Sequence, residues 1–305
     1  TSINNIGKTN IRKFFLYVSI LWQLFVQLIS FKPQLCYLTI SAQGSGFYKD
    51  FPMILLAKLF NRKVVYHFHN KGVIDRHNKF VDDTLYRIAF KNADVILLSK
   101  YLYPDIRKYV PEIKVHYCPN GIPQIVPDFN PKDLSILNEN VEILFLSNLI
   151  ESKGIFVLLE ACAILQKKEV PFHCTFAGND GMVSSNTFQQ KIVELGLTSS
   201  VQYIGPKYDI DKERLYLQSD IFVFPTYYHN ECFPLVLIEA MQYRLPIITT
   251  FEGGIPDMVE NGITGFLIPS KDAIELANKL VILISDEQLR KQMGASGRVK
   301  YEKEL

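Results

Sequence analysis

The stretch DIFVFPTYYHNECFPLVLIEAMQYRLPIITT (220–250) decides the fold class of this chain. Its first residues are an almost continuous apolar run, which predicts a buried strand. A polar loop follows, then an apolar run over 233–243 that predicts a helix, and PIITT predicts a second strand. This succession is typical of parallel strands joined through a helix. Two carboxylates, Glu231 and Glu239, interrupt the apolar residues with seven positions between them.

The same alternation extends over the rest of the 305 residues, which suffice for two domains. Upstream, we predict strands at 34–40, 63–69, 94–99 and 114–118 and helices at 50–60, 80–91 and 103–110. Downstream, we predict strands at 142–148, 172–178 and 201–205 and helices at 154–168, 188–196, 211–218 and 272–284. The chain is therefore predicted to be an α/β protein whose parallel sheets are covered on both faces. A polar, poorly periodic stretch separates the two halves, so the predicted domains are 1–123 and 142–305, with a linker at 124–141.

The composition excludes several classes of protein. A net charge of +2 and a pI near 8.1 are too mild to indicate a nucleic-acid partner. The five cysteines are widely spaced, without a Cys-x-x-Cys pair. We therefore expect reduced cysteines of a cytoplasmic protein rather than disulfides or zinc ligands.

The segment FFLYVSILWQLFVQLIS (14–30) is apolar enough to resemble a membrane span. Its polar residues, Ser19, Gln23, Gln27 and Ser30, recur every three or four positions and form one stripe on a helix. A helix with one polar stripe is expected to pack within its domain. The alternatives are a helix that contacts a membrane surface and a helix that spans the membrane.

The two carboxylates of 220–250 are expected to lie at a ligand crevice. Ligands of open α/β sheets bind outside the carboxyl ends of the strands, and the loop that carries Glu231 leaves such an end. Glu239 is predicted about two turns into the helix, with its side chain leaning back toward the helix N-terminus, which itself favours a phosphate. Carboxylates so placed suit the paired hydroxyls of a sugar or a ribose. The alternative is that both are ordinary solvated charges.

Five motifs follow one another in order along the chain. They are Asn120-Gly121-Ile122, LSNLIESKG (146–154), FAGNDG (176–181), VQYIGP (201–206) and the stretch 225–268, which holds Glu231, Glu239-Ala240-Met241, Pro246, Gly253-Gly254 and Gly262-Ile263-Thr264-Gly265-Phe266. In this order they resemble the signature of the retaining glycosyltransferases of family 4, over roughly residues 63–295. The resemblance implies the GT-B architecture, in which two Rossmann-like, doubly wound domains face each other across a cleft.

The resemblance also implies roles for single residues. Lys153 would pair with the diphosphate of a nucleotide-sugar donor, and Glu239 with its ribose hydroxyls. Glu231 would contact the transferred sugar, and His69 would lie near the acceptor and the reacting sugar. The catalytic candidates are therefore His69, Lys153 and Glu231, and the further donor contacts are Asn148, Gly205, Pro206, Cys232 and Phe233. Family members usually have Arg where this chain has Asn148, which leaves Lys153 as the main cation.

The reaction that the resemblance implies is hexosyl transfer with retention. The donor would be UDP- or GDP-linked, and the acceptor would be a hydroxyl of a saccharide or of a lipid-linked intermediate in bacterial polysaccharide or glycolipid assembly. No cofactor is implied, because the nucleotide-sugar is a substrate. The expected place is the cytoplasm, including peripheral contact at the inner face of the membrane. The alternatives are a non-catalytic nucleotide-sugar-binding fragment or partner protein of this fold, and an epimerase of the same architecture, against which the motifs point.

Three patterns that suggest metal or nucleophile sites carry little weight. Asp209-Ile210-Asp211 spells a metal-binding Asp-x-Asp, but Asp211 is predicted to be the N-cap of the helix at 211–218. His67 and His69 share one strand face without an acidic or cysteine partner nearby. Cys232 lacks an activating base pattern. We therefore predict no metal site.

The first residue is Thr1, not Met. The resemblance lacks the strand and glycine-rich loop with which the family usually opens, and the C-terminal segment that returns to the first domain. We therefore expect a first domain that is incomplete at its start.

Overall fold

The computed structural model describes residues 11–124 and 140–305. The chain divides into two compact units. Unit 1 runs to Leu97 and includes Leu102–Cys118, and unit 2 is Leu98–Tyr101 with Pro119–Leu305. The predicted linker at 124–141 falls largely on 125–139, outside the described residues. The limits 1–123 and 142–305 therefore stay predictions.

Unit 1 holds a four-stranded parallel sheet in the order β1-β2-β3-β4. Each strand pairs with the next one along the chain, as Leu35 with Lys63 and Val64 with Ala93 illustrate. The strands are β1 (Leu35–Leu38), β2 (Lys63–Phe68), β3 (Ala93–Leu97) and β4 (Val115–Tyr117), and the helices are α1 (Ile11–Ser30), α2 (Gly44–Leu59), α3 (Val73–Arg76) and α4 (Phe80–Phe90). The first two crossovers between parallel strands are therefore helical, as the alternation predicted.

Strand β2 of unit 1 has one buried face. Along β2, the buried residues Val64, Tyr66 and Phe68 alternate with the half-buried Val65 and His67. The Tyr66 hydroxyl donates a hydrogen bond of 2.8 Å to a carbonyl of α4, which ties the buried face to the helical layer. The apolar run at 63–69 thus forms a strand with one buried face, not the doubly buried strand that was predicted.

Unit 2 holds a six-stranded parallel sheet in the order β10-β9-β8-β5-β6-β7. The strands are β5 (Val141–Leu146), β6 (Phe172–Ala177), β7 (Val201–Tyr203), β8 (Ile221–Phe224), β9 (Ile247–Thr250) and β10 (Gly265–Ile268). The chain runs outward from β5 to β7, returns to β8 beside β5, and runs outward again to β10. This is the doubly wound order, and ligands of such sheets bind where the direction reverses. The switch point of unit 2 lies between β5 and β8.

The central strands of unit 2 are buried on both faces. Every residue of β8 and β9 is buried, as are Ile143, Leu144 and Phe145 in β5. The helices are α5 (Ile155–Lys167), α6 (Ser185–Glu194), α7 (Asp209–Gln218), α8 (Leu235–Gln242), α9 (Ile255–Met258), α10 (Ala273–Ser285) and α11 (Glu287–Glu304). The continuous apolar runs of this half therefore form the doubly covered strands that the sequence predicts.

The sequence analysis missed α11. Its buried positions recur at helical spacing but include two glycines and an arginine, so they do not form an apolar pattern. A Cβ at Gly294 would lie 1.9 Å from the Arg244 carbonyl oxygen, so the backbones touch there. Arg298 is buried and donates a hydrogen bond of 2.8 Å to the carbonyl of Gln242 at the end of α8. The close backbone contact at Gly294 and the hydrogen bond of the buried Arg298 therefore hold α11 against the end of α8.

Two local predictions are wrong. Residues 103–110 form no α-helix but a 3-10 helix over Lys100–Asp105 followed by turns. There the Asp105 carboxylate accepts the backbone N–H groups of Gly72 and Ile74, each at 3.0 Å, so tertiary contacts fix this turn. Asp211 is not an N-cap, because α7 begins at Asp209, and Asp211 instead pairs with Arg214 at 3.4 Å.

The helix at 14–30 was expected to pack within its domain, but it packs there much less than predicted. Of the 20 residues of α1, all of them described, only Leu28 is buried. Contacts to α2 and its end are few: the Tyr17 hydroxyl donates to the Lys49 carbonyl at 2.7 Å, and Arg62 donates to the Leu28 carbonyl at 3.1 Å. Among the described residues, α1 is the one helix that is long and apolar enough to cross a membrane, judged by length and composition alone.

The cysteines behave as expected of reduced core residues. Four of them are buried and Cys118 is exposed, and none of the five, all of which lie in the described ranges, forms a disulfide: Cys36, Cys118, Cys162, Cys174 and Cys232.

Candidate functional site

Lys153 lies on the loop that leaves the carboxyl end of β5. A 3-10 turn over Glu151–Lys153 ends at Gly154, whose φ of +88° lies in the left-handed region. A Cβ at Gly154 would stand 2.2 Å from the carbonyl oxygen of Pro225, so this position has space only for glycine. The Lys-Gly pair thus presses the lysine loop against the carboxyl end of β8, at the switch point.

Glu231 meets Lys153 at this point. The Lys153 ammonium donates to Glu231 Oε2 at 2.6 Å, and the two side chains are 15% and 8% exposed. The hydroxyl of Thr226, which is fully buried, lies 3.3 Å from the same carboxylate oxygen. A largely buried carboxylate requires such partners, because an unpaired charge away from water is costly. The predicted loop position of Glu231 is therefore confirmed, and its partner is the predicted phosphate-binding lysine.

Aromatic rings complete the surroundings of the lysine. Its ammonium lies 4.6 Å from the ring centroid of Tyr228 and 5.4 Å from that of Phe224. A cation over aromatic faces is stabilised by the ring quadrupoles, most strongly where water is scarce. Tyr228 was missed in the sequence, where TYYHNE reads only as a polar loop. The two rings therefore stabilise the position of the Lys153 ammonium beside Glu231.

The Gly253-Gly254 motif supports the backbone beneath Glu231. A Cβ at Gly253, where φ is +55°, would stand 2.1 Å from the Glu231 carbonyl oxygen. The Gly254 N–H donates a hydrogen bond of 2.6 Å to the carbonyl of Cys232. Gly253 and Gly254, which follow β9, therefore allow the loop after β8 to pack directly against them. This contact determines the direction in which the chain enters α8.

Glu239 lies in α8, just over one turn from its start at Leu235. The prediction of about two turns is wrong, because Pro234 precedes the helix and residues 233–234 are not helical. The Glu239 carboxylate accepts from the Lys212 ammonium at 2.7 Å and from the Tyr216 hydroxyl at 2.7 Å. Glu239 is therefore not an unpaired solvated charge. Both of its partners lie on α7 and were missed, since nothing in DKERLYLQ indicates which helix it faces.

The other predicted donor residues lie in loops of unit 2. Asn148 is exposed after β5, and its side-chain oxygen accepts the N–H of Asn179 at 3.4 Å. Gly205 follows β7 with a φ of +70°, and Pro206 continues toward α7. Cys232 and Phe233 are buried between Glu231 and α8.

His69 belongs to unit 1. It follows β2 directly and is exposed, and its ring centroid lies 4.3 Å from that of His67. His67 shares a hydrogen bond of 2.5 Å with the Tyr37 hydroxyl, and burial, with His69 as the second cause, lowers the pKa of His67. The role of His69 beside the residues of unit 2 stays a prediction.

The described ranges, 11–124 and 140–305, contain no group of three or more His, Cys, Asp or Glu side chains that could hold a metal ion. The site at the switch point instead offers a cation, two carboxylates and the N-terminus of an eight-residue helix. A cation and a helix N-terminus stabilise phosphate charge, and carboxylates accept hydrogen bonds from hydroxyls. This chemistry fits a ligand that carries both phosphates and sugar hydroxyls.

Comparison with known families agrees with this chemistry. The family model described as glycosyl transferases group 1 matches residues 127–300. The capsular polysaccharide biosynthesis glycosyltransferase CapM of Staphylococcus aureus is 33% identical over 167 residues, which are 55% of this chain and 43% of CapM. The amylovoran biosynthesis glycosyltransferase AmsK of Erwinia amylovora is 28% identical over 254 residues, 81% of this chain and 61% of AmsK. The chain thus spans less than two thirds of either relative.

Solved structures share the fold. Anabaena Alr3699/HepE in complex with UDP has a TM-score of 0.76 and 20% identity, over 95% of this chain and 78% of that chain. A glycosyltransferase from Rickettsia africae has a TM-score of 0.75 and 19% identity, over 97% and 79% of the two chains. At this identity the likeness concerns the fold, and it confirms the predicted α/β architecture of the GT-B type.

The Lys153–Glu231 ion pair predicts how substitutions at these two residues change the free energy of unfolding. Lys153→Met leaves the Glu231 carboxylate largely buried without its cation, so we expect the free energy of unfolding to fall by about 3 kcal/mol. Adding Glu231→Gln removes the unpaired charge and should restore part of this loss. Urea denaturation of the single and double variants measures the coupling. Simple addition of the two single losses would contradict the pairing.

Proposed function

Because this chain belongs to the glycosyl transferases group 1 family, we propose that it transfers a sugar from a nucleotide-sugar donor to a hydroxyl acceptor, with retention at the anomeric carbon. Its homologues include bacterial polysaccharide glycosyltransferases that build capsule and amylovoran. They support a saccharide or lipid-linked acceptor in bacterial polysaccharide or glycolipid assembly. We propose that the protein acts in the cytoplasm.

The observation that carries this proposal is the meeting of Lys153 and Glu231 at the switch point. An ammonium has three N–H donors, so Lys153 can donate one hydrogen bond to Glu231 and another to a phosphate oxygen. A fixed cation beside a leaving diphosphate stabilises the charge that develops when the glycosidic bond breaks. The carboxylate that orients this cation lies beside the transferred sugar. Lys153 and Glu231 therefore act as one unit in the proposed mechanism.

The N-terminus of α8 supplies the second stabilising group. The loop of Cys232 and Phe233 leads into this N-terminus, which begins at Leu235, and a diphosphate beside that loop would accept hydrogen bonds from N–H groups of the first turn. Asn148 adds a hydrogen-bond donor without charge from the loop after β5. We assign these groups to the donor phosphates, and Gly205 and Pro206 to the base. HepE has been solved with UDP-glucose, which favours a UDP-linked donor over a GDP-linked one.

The proposed transfer balances without a cofactor. The bond between the anomeric carbon and the diphosphate oxygen breaks, and the acceptor oxygen forms its bond on the same face of the sugar. The acceptor proton leaves with the diphosphate. His69 would act on the acceptor side, from unit 1. The substrates are the donor and the acceptor alone.

A second candidate is a nucleotide-sugar-binding protein without turnover. The same residues of unit 2 would hold the donor, and no product would form. Anomeric NMR of the product distinguishes the candidates, because retaining transfer gives a glycoside with the configuration of the donor. Hydrolysis or transfer with inversion would contradict the retaining mechanism.

Donor binding is predicted to depend on Glu239. Glu239→Ala removes one or two hydrogen bonds from ribose hydroxyls to a charged acceptor, each contributing roughly 1.5–3 kcal/mol. Calorimetric titration with UDP, GDP and their sugars should show saturable binding by one nucleotide series, weakened about tenfold or more in the variant. An unchanged dissociation constant would remove Glu239 from the donor site, and no binding by the folded chain would contradict the proposed function.

We also propose that unit 1 contacts an anionic membrane surface through α1. The exposed apolar residues of α1 recur at steps of three and four, so most of them share one face: Ile11, Phe14, Phe15, Val18, Trp22, Val26 and Ile29. Arg12 and Lys13 lie in its first turn and Lys32 follows its end. Basic residues beside an apolar aromatic face are typical of helices that lie in the membrane interface. This contact would place the enzyme at the inner face of the membrane.

Trp22 allows a direct test, because it is the single tryptophan of the chain. Its emission should shift to shorter wavelength with phosphatidylglycerol vesicles and less with neutral phosphatidylcholine vesicles. Phe15→Ser with Val18→Ser should abolish the shift, whereas Ile113→Ser, at a side chain that is 89% exposed elsewhere in unit 1, should not. No shift with either vesicle, or a shift that depends only on protein concentration, would contradict membrane contact.

A further inference from the structure

Two residues of α7 hold both oxygens of Glu239. The Lys212 ammonium donates to Oε1 at 2.7 Å, and the Tyr216 hydroxyl donates to Oε2 at 2.7 Å. Lys212 and Tyr216 are four residues apart, so they lie on one face of α7, the face that meets α8. Each carboxylate oxygen therefore has its own donor, and the plane of the carboxylate is fixed by two points.

Tyr216 is a rigid donor. Its side chain is 1% exposed, and its ring stacks on Tyr243 with centroids 5.2 Å apart and an angle of 9° between the planes. A second ring, that of Phe222 in β8, lies 5.8 Å away. Burial, and then the charge of Glu239, raises the pKa of Tyr216 well above its ordinary value. The hydroxyl therefore keeps its proton at all physiological pH values and donates it to the carboxylate.

The paired carboxylate keeps capacity for a ligand. An ionised carboxylate has about four lone-pair positions, and Lys212 and Tyr216 occupy two of them. The Glu239 side chain remains 19% exposed and that of Lys212 31% exposed, so the pair reaches solvent. A carboxylate whose rotation is blocked presents its remaining lone pairs in one direction. Two adjacent hydroxyls, such as those of a ribose, match that presentation.

The position of α7 in the chain connects this pair to a second part of the donor site. The helix follows Gly205 and Pro206, the residues assigned to the base, after only two further residues. Lys212 and Tyr216 therefore join the segment near the base to the carboxylate near the ribose. The Lys212–Glu239 ion pair is partly exposed, so by itself it contributes little to stability.

We propose that Lys212 and Tyr216 are positioning residues that hold the Glu239 carboxylate oriented for the ribose hydroxyls of a nucleoside diphosphate. This inference rests on the proposed donor site of Glu239. Neither residue needs to touch the donor itself. Their effect is selectivity for ribose over deoxyribose, which a helix contact of purely structural value would not supply.

The test compares binding of UDP with 2′-deoxy-UDP, and of GDP with 2′-deoxy-GDP, by calorimetry. The unmodified chain should bind its ribonucleotide about tenfold or more tightly than the deoxynucleotide, since one hydrogen bond to a charged group is lost. Tyr216→Phe keeps the ring and its stacking but removes the hydroxyl, and Lys212→Gln removes the ammonium. Each should lower the ribose preference several-fold. In a Glu239→Gln background, neither should lower it further.

Arg214→Gln is the matched control, because it removes one cation from α7 at a side chain that is 65% exposed and pairs with Asp211 at 3.4 Å. It should leave the ribose preference unchanged. A preference that Tyr216→Phe or Lys212→Gln does not alter, in a chain that still binds the ribonucleotide, would overturn the role of that residue while the donor site stands. Absence of binding by either ribonucleotide to the unmodified chain would overturn the donor site and this inference together.

Discussion

The ion pair between Lys153 and Glu231 is the contact on which the site of unit 2 depends. It joins the loop after β5 to the loop after β8, the two strands between which the winding of the sheet reverses. Parallel strands leave their loops diverging at this point, and a crevice opens there. Gly154 and Gly253 bring the backbones close enough for the pair to form, because a side chain at either position would collide with a carbonyl oxygen. Gly154 and Gly253 therefore allow the charged groups of Lys153 and Glu231 to meet.

The second carboxylate is held by different means. Glu239 lies inside a helix and meets Lys212 and Tyr216 from the neighbouring helix, so its geometry depends on how α7 packs on α8. The stacked rings of Tyr216 and Tyr243 fill the space between these helices. In the proposed donor site, the first arrangement supplies a cation for phosphate charge and the second supplies an oriented acceptor for hydroxyls. A nucleotide-sugar carries both phosphates and ribose hydroxyls, so the proposed donor would use both arrangements.

The sequence predicts the parts of this molecule that local pattern encodes. The doubly buried strands β5, β8 and β9 and the loop position of Glu231 follow from apolar runs and their ends. The helix α11 could not be found, since its buried face contains Gly294, Gly297 and Arg298, which pack through backbone contact and hydrogen bonds rather than apolar area. The partners of Glu239 could not be predicted either. Lys212 and Tyr216 lie 27 and 23 positions before it, on another helix, and local sequence pattern does not indicate which helices meet. The exposure of α1 depends on what surrounds it, which its own polar stripe does not reveal.

The most direct test of the central claim is a crystal structure of the chain with UDP or GDP, whichever of the two binds. The account predicts a diphosphate oxygen within hydrogen-bonding distance of Lys153 Nζ at the carboxyl ends of β5 and β8, and ribose hydroxyls on the Glu239 carboxylate. A nucleotide bound elsewhere, or one whose ribose lies away from Glu239 while its phosphates avoid Lys153, would contradict the assignment of this switch point as a donor site.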